Sequence, residues 1–272
     1  MAFDLDNLLQ CLQLEPHGPG VALGQHIDID YRRVFGGQIL GQFIVAATEA
    51  TPGKSVKSLH ALFPREGDTN CPMEYHVDLK QNGRTFGTIE IVALQQGKVV
   101  AVATASVHAD EDGMHRSDRP PDVGLPADAT PRDFGIIPFE IRVVDDVDLS
   151  DRQVGPAQFA FWVRTPRLRE LGEDRRSIHQ ALLAHATDLT IIGTALRPFA
   201  GVSQRDSNET IHTAVTSHTV WFHQPFRLDD WLLITQTSPV VANGRAFGRG
   251  DVFTEAGELV ASFAQESMIR AL

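Results

Sequence analysis

Asn82-Gly83-Arg84-Thr85-Phe86-Gly87 returns as Asn243-Gly244-Arg245-Ala246-Phe247-Gly248, an offset of 161 residues from Asn82 to Asn243. Downstream, Gly97-Lys98-Val99-Val100-Ala101 returns as Gly257-Glu258-Leu259-Val260-Ala261 at nearly the same spacing. Each copy then enters an alternating segment, Val102 to Val107 and Ser262 to Met268, and each is preceded by an extended run, Pro72 to Leu79 and Trp231 to Thr237. One hexapeptide can match by accident. Matching flanks in the same order point to a duplicated fold unit.

Working outward, each copy has the pattern of an antiparallel meander. Asn-Gly suits tight hairpin turns because both residues tolerate positive φ. Gln96-Gly97 and Ala256-Gly257 mark the following turns. Arg84 to Leu94 and Arg245 to Phe253 carry the β-branched and aromatic side chains that pack on a pleated surface. A helical candidate precedes each meander. The first follows Gly36-Gly37 and runs from Gln38 to Ala50; the second spans roughly Arg176 to Leu189, its end blurred by Thr190-Ile191-Ile192. Phe139 to Val144 and Phe159 to Arg164 resemble opening strands of the second unit, and Leu5 to Leu14 a short helix covering a sheet edge. Between the units, Ala109 to Pro138 is acidic, proline-rich and nearly free of aromatics, as a linker would be.

Composition removes whole classes of function. The 272 residues are 42% hydrophobic, with 22 glycines and 15 prolines, so a sizeable core is available. Against 24 Lys and Arg stand 35 Asp and Glu, a net charge of −11 that disfavours a nucleic-acid partner. The only cysteines, Cys11 and Cys71, form no CxxC pair or disulfide framework, which fits a reducing, cytoplasmic setting. Met1-Ala2-Phe3-Asp4-Leu5-Asp6 lacks the basic and apolar regions of a signal peptide, and no run is apolar enough for a membrane span.

Arg33-Val34-Phe35-Gly36-Gly37-Gln38-Ile39-Leu40-Gly41-Gln42 resembles the N-terminal signature of the acyl-CoA thioesterase II family. The resemblance continues through His179 to Ala184, Thr187-Asp188-Leu189, His218 to Phe226, Arg245 to Gly250, and Leu259 to Glu266, in the order the family has them. It implies an α+β double hotdog, two antiparallel sheets each wrapped around a central helix. On that reading residues 1–108 form the first unit with its N-terminal helix, 109–138 the linker and 139–272 the second unit. The implied activity is hydrolysis of acyl-CoA, a substrate of lipid and fatty acid metabolism, in a homo-oligomer without a cofactor.

The same resemblance implies a reactive water held by three residues. An aspartate falls on Asp188 and a glutamine on Gln265, whereas the hydroxyl position falls on Val215, which has none. Thr213 and Ser217 share the strand parity of Val215, and Thr216 should face away unless a bulge or an alignment slip of one residue intervenes. Either one of these hydroxyls is repositioned or the activity is reduced. Asp188 would serve as general base and Gln265 would orient the water through its amide. Backbone donors at Gly36, Gly37 and Gln38, where a helix start leaves amides unpaired, would meet the oxyanion, with His60 as a further substrate contact. Arg84, Arg245 and Arg249 are candidates for the CoA phosphates.

Other chemistries are poorly matched. His60, His179, His218 and His223 make no metal motif, and the chain has neither a GxSxG elbow nor a phosphate loop. A hotdog hydratase would need an Asp/His motif that is missing from the sequence. The alternative of a different class is a non-catalytic acyl-CoA-binding or regulatory protein, which Val215 favours.

Overall fold

The computed structural model describes residues 4–27, 29, 31–166, 168 and 175–271; the first three residues of the acidic N-terminus lie outside it. In the first half, α1 (Leu5–Cys11), β1 (Glu15–Pro16) and β2 (Val21–Gly24) lead to α2 (Gly36–Glu49), β3 (Ser55–Leu62), β4 (Met73–Asn82), β5 (Phe86–Gln95) and β6 (Lys98–His108). The second half contains β7 (Thr130–Arg132), β8 (Glu140–Val143), β9 (Gln158–Arg164), α3 (Arg176–Thr187) and α4 (Ile191–Leu196). It closes with β10 (Ile211–Phe222), β11 (Leu232–Ala242), β12 (Arg245–Thr254) and β13 (Leu259–Ala271).

The strand order is β1-β2-β4-β5-β6-β3-β10-β13-β12-β11-β9-β8-β7. Read outward from its centre, the order is the same on both sides: β3-β6-β5-β4 is answered by β10-β13-β12-β11. The predicted repeat is therefore built as two meanders, each preceded by a helix. This is the double-hotdog arrangement, with its two sheets joined edge to edge by β3 and β10, whose register runs from Ser217↔Leu62 to Trp221↔Ser58.

The two Asn-Gly pairs turn differently. Asn243 and Gly244 have φ of 52° and 72°, the expected tight hairpin. In the first copy pairing continues through Asn82↔Gly87, so the turn falls on Gly83 to Thr85 instead, although both hairpins carry a register shift, at Leu79/Gln81 and at Thr237/Val240. Thr190-Ile191-Ile192 does not prolong α3; it opens the separate helix α4. The predicted linker contributes β7, which pairs with β8 at the outer edge of the sheet.

Every residue of α2 from Gly37 to Ala47 is buried, which explains its apolar faces. α1 does more than cover an edge: Leu8, Cys11 and Leu12 enter the core, and the Gln42 amide donates to the Cys11 carbonyl at 2.8 Å. α2 and α3 pack directly against each other and run antiparallel, because Gly37 faces His185 while Gly41 faces Ala181. A Cβ on Gly37 would lie 2.6 Å from the His185 carbonyl, so only glycine permits this approach. The crossing delivers the C-terminal end of α3 to the N-terminal end of α2.

Candidate active site

Asp188 is the C-cap of α3 and is almost fully buried. Its Oδ2 accepts the Gly37 N–H at 3.0 Å, one of the amides a helix start leaves unpaired. Its Oδ1 is buried with no hydrogen-bond partner among the described residues. Burial raises the Asp188 carboxyl to about 7, against the lowering effects of the Gly37 N–H and the Arg33 charge. The result is a carboxylate anchored through one oxygen and unpartnered at the other.

β10 and β13 supply the facing groups. His218 Nδ1 lies 2.9 Å from Gln265 Oε1 and 3.8 Å from Asp188 Oδ1. Its Nε2 is 3.1 Å from Thr187 Oγ1, and its ring stacks on Phe263 at 6.0 Å. Gln265 Nε2 donates to Ser267 Oγ at 3.0 Å. With that amide orientation, Nδ1 carries the imidazole proton, and the Thr187 hydroxyl shares its one proton between Nε2 and the Ala184 carbonyl at 3.0 Å. Burial pushes His218 down to about 4, so the ring is neutral near pH 7.

Asp188, Gly36 and Val215 line a cleft of about 470 Å³, together with apolar side chains such as Ile39, Phe63 and Ile192. Gln265 and His218 are fully buried and meet the cleft through Asp188. Gly36 lines the cleft and no acceptor for its N–H occurs among the described residues, whereas the Gly37 N–H is taken by Asp188.

Several residues expected at the site stand elsewhere. The register of β10 shifts between Val215 and Ser217, and this bulge reverses the parity on which Ser217 was aligned with Val215. Thr213 is buried upstream of the shift, while His218, Val220 and Phe222 are the buried positions downstream. Ser217 therefore falls on the outer face with Thr219 and Trp221. Thr216 borders the cleft, but its hydroxyl lies 3.0 Å from both the carbonyl and Oε2 of Glu266. Of the three hydroxyls, Thr213 is the one that is buried and lines the cleft.

Gln38 is also displaced from the expected role. Its N–H donates to the Phe35 carbonyl, and its side chain is buried among His26, Gln42 and the Ile27 N–H. His60 is exposed on β3, edge-on to Trp221 at 5.6 Å. Arg84 is exposed beside the β4–β5 turn, Arg245 lies 3.7 Å from Glu266, and Arg249 is exposed on β12; none lines the cleft. Arg33 does line it, donating to the Thr213 carbonyl at 2.7 Å and to Glu66 at 2.6 Å. Its position at the head of the quoted N-terminal signature was the available signal, as the neighbourhood of Trp221-Phe222-His223 was for His218.

The raised Asp188 carboxyl has a consequence for stability. Between its ordinary value of 3.8 and about 7 the folded state holds a proton that the unfolded chain has released. The contribution is full below that interval and is lost as pH rises through about 7. Asp188→Asn, whose amide oxygen can still accept from Gly37, is therefore expected to gain stability relative to the parent at about pH 8, the gain shrinking toward about pH 5. Paired thermal melts at the two pH values check this.

Comparison with known proteins matches residues 26–108 to the acyl-CoA thioesterase N-terminal domain and residues 112–269 to the acyl-CoA thioesterase C-terminal domain. The chain is 30% identical to acyl-CoA thioesterase 2 of Haemophilus influenzae over 98% of each protein. It is 31% identical to human acyl-coenzyme A thioesterase 8, over 95% of this chain and 87% of that one. Among solved structures, an acyl-CoA thioesterase II from Mycobacterium marinum superposes with a TM-score of 0.82 at 31% identity, covering 97% of this chain and 98% of that one.

Proposed function

Since the chain belongs to the acyl-CoA thioesterase family, we propose that it hydrolyses acyl-CoA thioesters to a free fatty acid and CoA, using water activated by Asp188. The observation that carries this reading is the Asp188 carboxylate, fixed by Gly37 through Oδ2 and unpartnered at Oδ1 on the wall of an apolar cleft. The acyl chain lies among the apolar side chains, and water binds Oδ1. As water attacks the thioester carbon, Asp188 takes its proton, and the carbonyl oxygen gains negative charge facing the Gly36 N–H at the start of α2. The C–S bond then breaks, and the proton passes from Asp188 to the departing thiolate. The neutral His218, its Nδ1–H donated to Gln265 Oε1, packs beside the carboxylate and walls off that side of Asp188.

A free-thiol release assay with short, medium and long acyl-CoAs tests the activity. Thiol is expected with at least one chain length, and its absence with all of them contradicts the proposal. Val215 favours a second reading, a non-catalytic acyl-CoA-binding protein. That reading predicts tight acyl-CoA binding by calorimetry without thiol release.

A further inference from the structure

We propose that Ser267 is a positioning residue of this site, holding the Gln265 amide and supplying from β13 the hydroxyl that β10 lacks at Val215. The inference rests on the Asp188 reading above and goes one step further. Val215 and Ser267 are direct cross-strand partners, the last pair before the register shift in β10. Opposed residues of antiparallel strands point to the same face, so Ser267 shares the face of Val215 behind the cleft, whose lining from β13 is Met268. Ser267 is fully buried, and alternation along β13 places it on the face of Gln265 and Phe263.

Its hydroxyl has a defined task there. Ser267 Oγ accepts from Gln265 Nε2 at 3.0 Å, so the amide turns Oε1 toward His218 Nδ1 at 2.9 Å. No other acceptor for that Nε2 occurs among the described residues. Removing the hydroxyl leaves a buried amide donor unpaired and frees it to rotate, which loosens the hold on His218 and, through it, on the environment of Asp188. The three threonine and serine alternatives on β10 make no comparable contact: Thr216 is engaged by Glu266, Ser217 faces outward, and Thr213 has no side-chain hydrogen bond to any of these groups among the described residues.

Steady-state thiol release by Ser267→Ala, Ser267→Thr and Ser267→Cys, each checked for a cooperative melt, tests the proposal. Ser267→Ala is expected to lower kcat by about tenfold, the worth of one buried hydrogen bond, with KM changed by less than about twofold. Ser267→Thr, which keeps the hydroxyl, should recover most of the loss. Ser267→Cys preserves volume with a poor acceptor and should resemble Ser267→Ala. Val215→Thr should raise kcat more in the Ser267→Ala background than in the parent, because the new hydroxyl then has the vacated role. Parental kcat in both Ser267→Ala and Ser267→Cys overturns the proposal, as does a loss that falls on Thr213→Ala instead. In either case a large loss in Asp188→Asn leaves the Asp188 reading standing, whereas parental activity in Asp188→Asn overturns both.

Discussion

Asp188→Asn is expected to lower kcat by about 10²–10⁴-fold, the usual worth of a positioned general base, while the protein keeps its fold. Asparagine is close in size and its carbonyl can still accept the Gly37 N–H, so the α2–α3 contact is preserved. What disappears is the unpartnered Oδ1 as a proton acceptor. The loss should therefore appear in kcat, with KM little changed, because the cleft proposed to take the acyl chain is untouched. Stability moves the other way at alkaline pH, since an ionised carboxylate is no longer buried. A variant that is inactive and at least as stable as the parent at about pH 8 distinguishes loss of the base from loss of the fold. Steady-state thiol release together with thermal melts gives both numbers.

Gly37→Ala is expected to have the largest effect on stability. An alanine in a helix interior is ordinarily better than glycine by about 1 kcal/mol, so propensity alone predicts stabilisation. Packing reverses the sign. The new methyl would sit 2.6 Å from the His185 carbonyl and 2.6 Å from the Phe35 ring, and the first of these is backbone that cannot rotate away. Overpacking of this kind costs about 1–3 kcal/mol, and each kcal/mol lowers Tm by about 2–4 °C in a domain of about 150–250 residues. The substitution pushes the start of α2 away from the end of α3, and so also draws the Gly37 N–H from Asp188. Activity should fall along with Tm. A melting temperature at or above that of the parent contradicts the packing described for α2 and α3.

The repeat was legible because it rests on local signals: turn residues, strand alternation and the offset between Asn82 and Asn243. The helices were legible for the same reason, although the start of α4 at Ile191 was hidden by β-branched residues that suit either a strand or a buried turn of helix. What local pattern does not carry is register. The shift at Val215/Ser217 and the one at Leu79/Gln81 each add a residue that only the partner strand reveals. The first puts Ser217 on the outer face, and the second has its counterpart at Thr237/Val240 in the other hairpin.

The site was legible in proportion to how far its residues lie within quoted motifs. Asp188 and Gln265 came from the resemblance, and the structure brings both to the Nδ1 side of His218. His218 itself reads in sequence as an ordinary core histidine, because its value comes from Thr187, Phe263 and Gln265, all distant in the chain or on other elements. Gln38 was nominated for its backbone N–H at a helix start, and that N–H instead bonds the Phe35 carbonyl, while His60 is exposed on β3. The arginines show the same limit: type and charge nominated Arg84, Arg245 and Arg249, while the cleft took Arg33, already paired with Glu66.

The most direct test of the central claim, that Asp188 is the base that activates water, is the pH dependence of kcat/KM for thiol release from an acyl-CoA between about pH 5 and pH 9. The group must be ionised to accept a proton, so activity is predicted to rise with pH in a single step centred at about 7 and then level off. Asp188→Asn should retain only a small residue of activity without that step. A parental profile that is flat through this range, or an unchanged step in Asp188→Asn, contradicts the assignment.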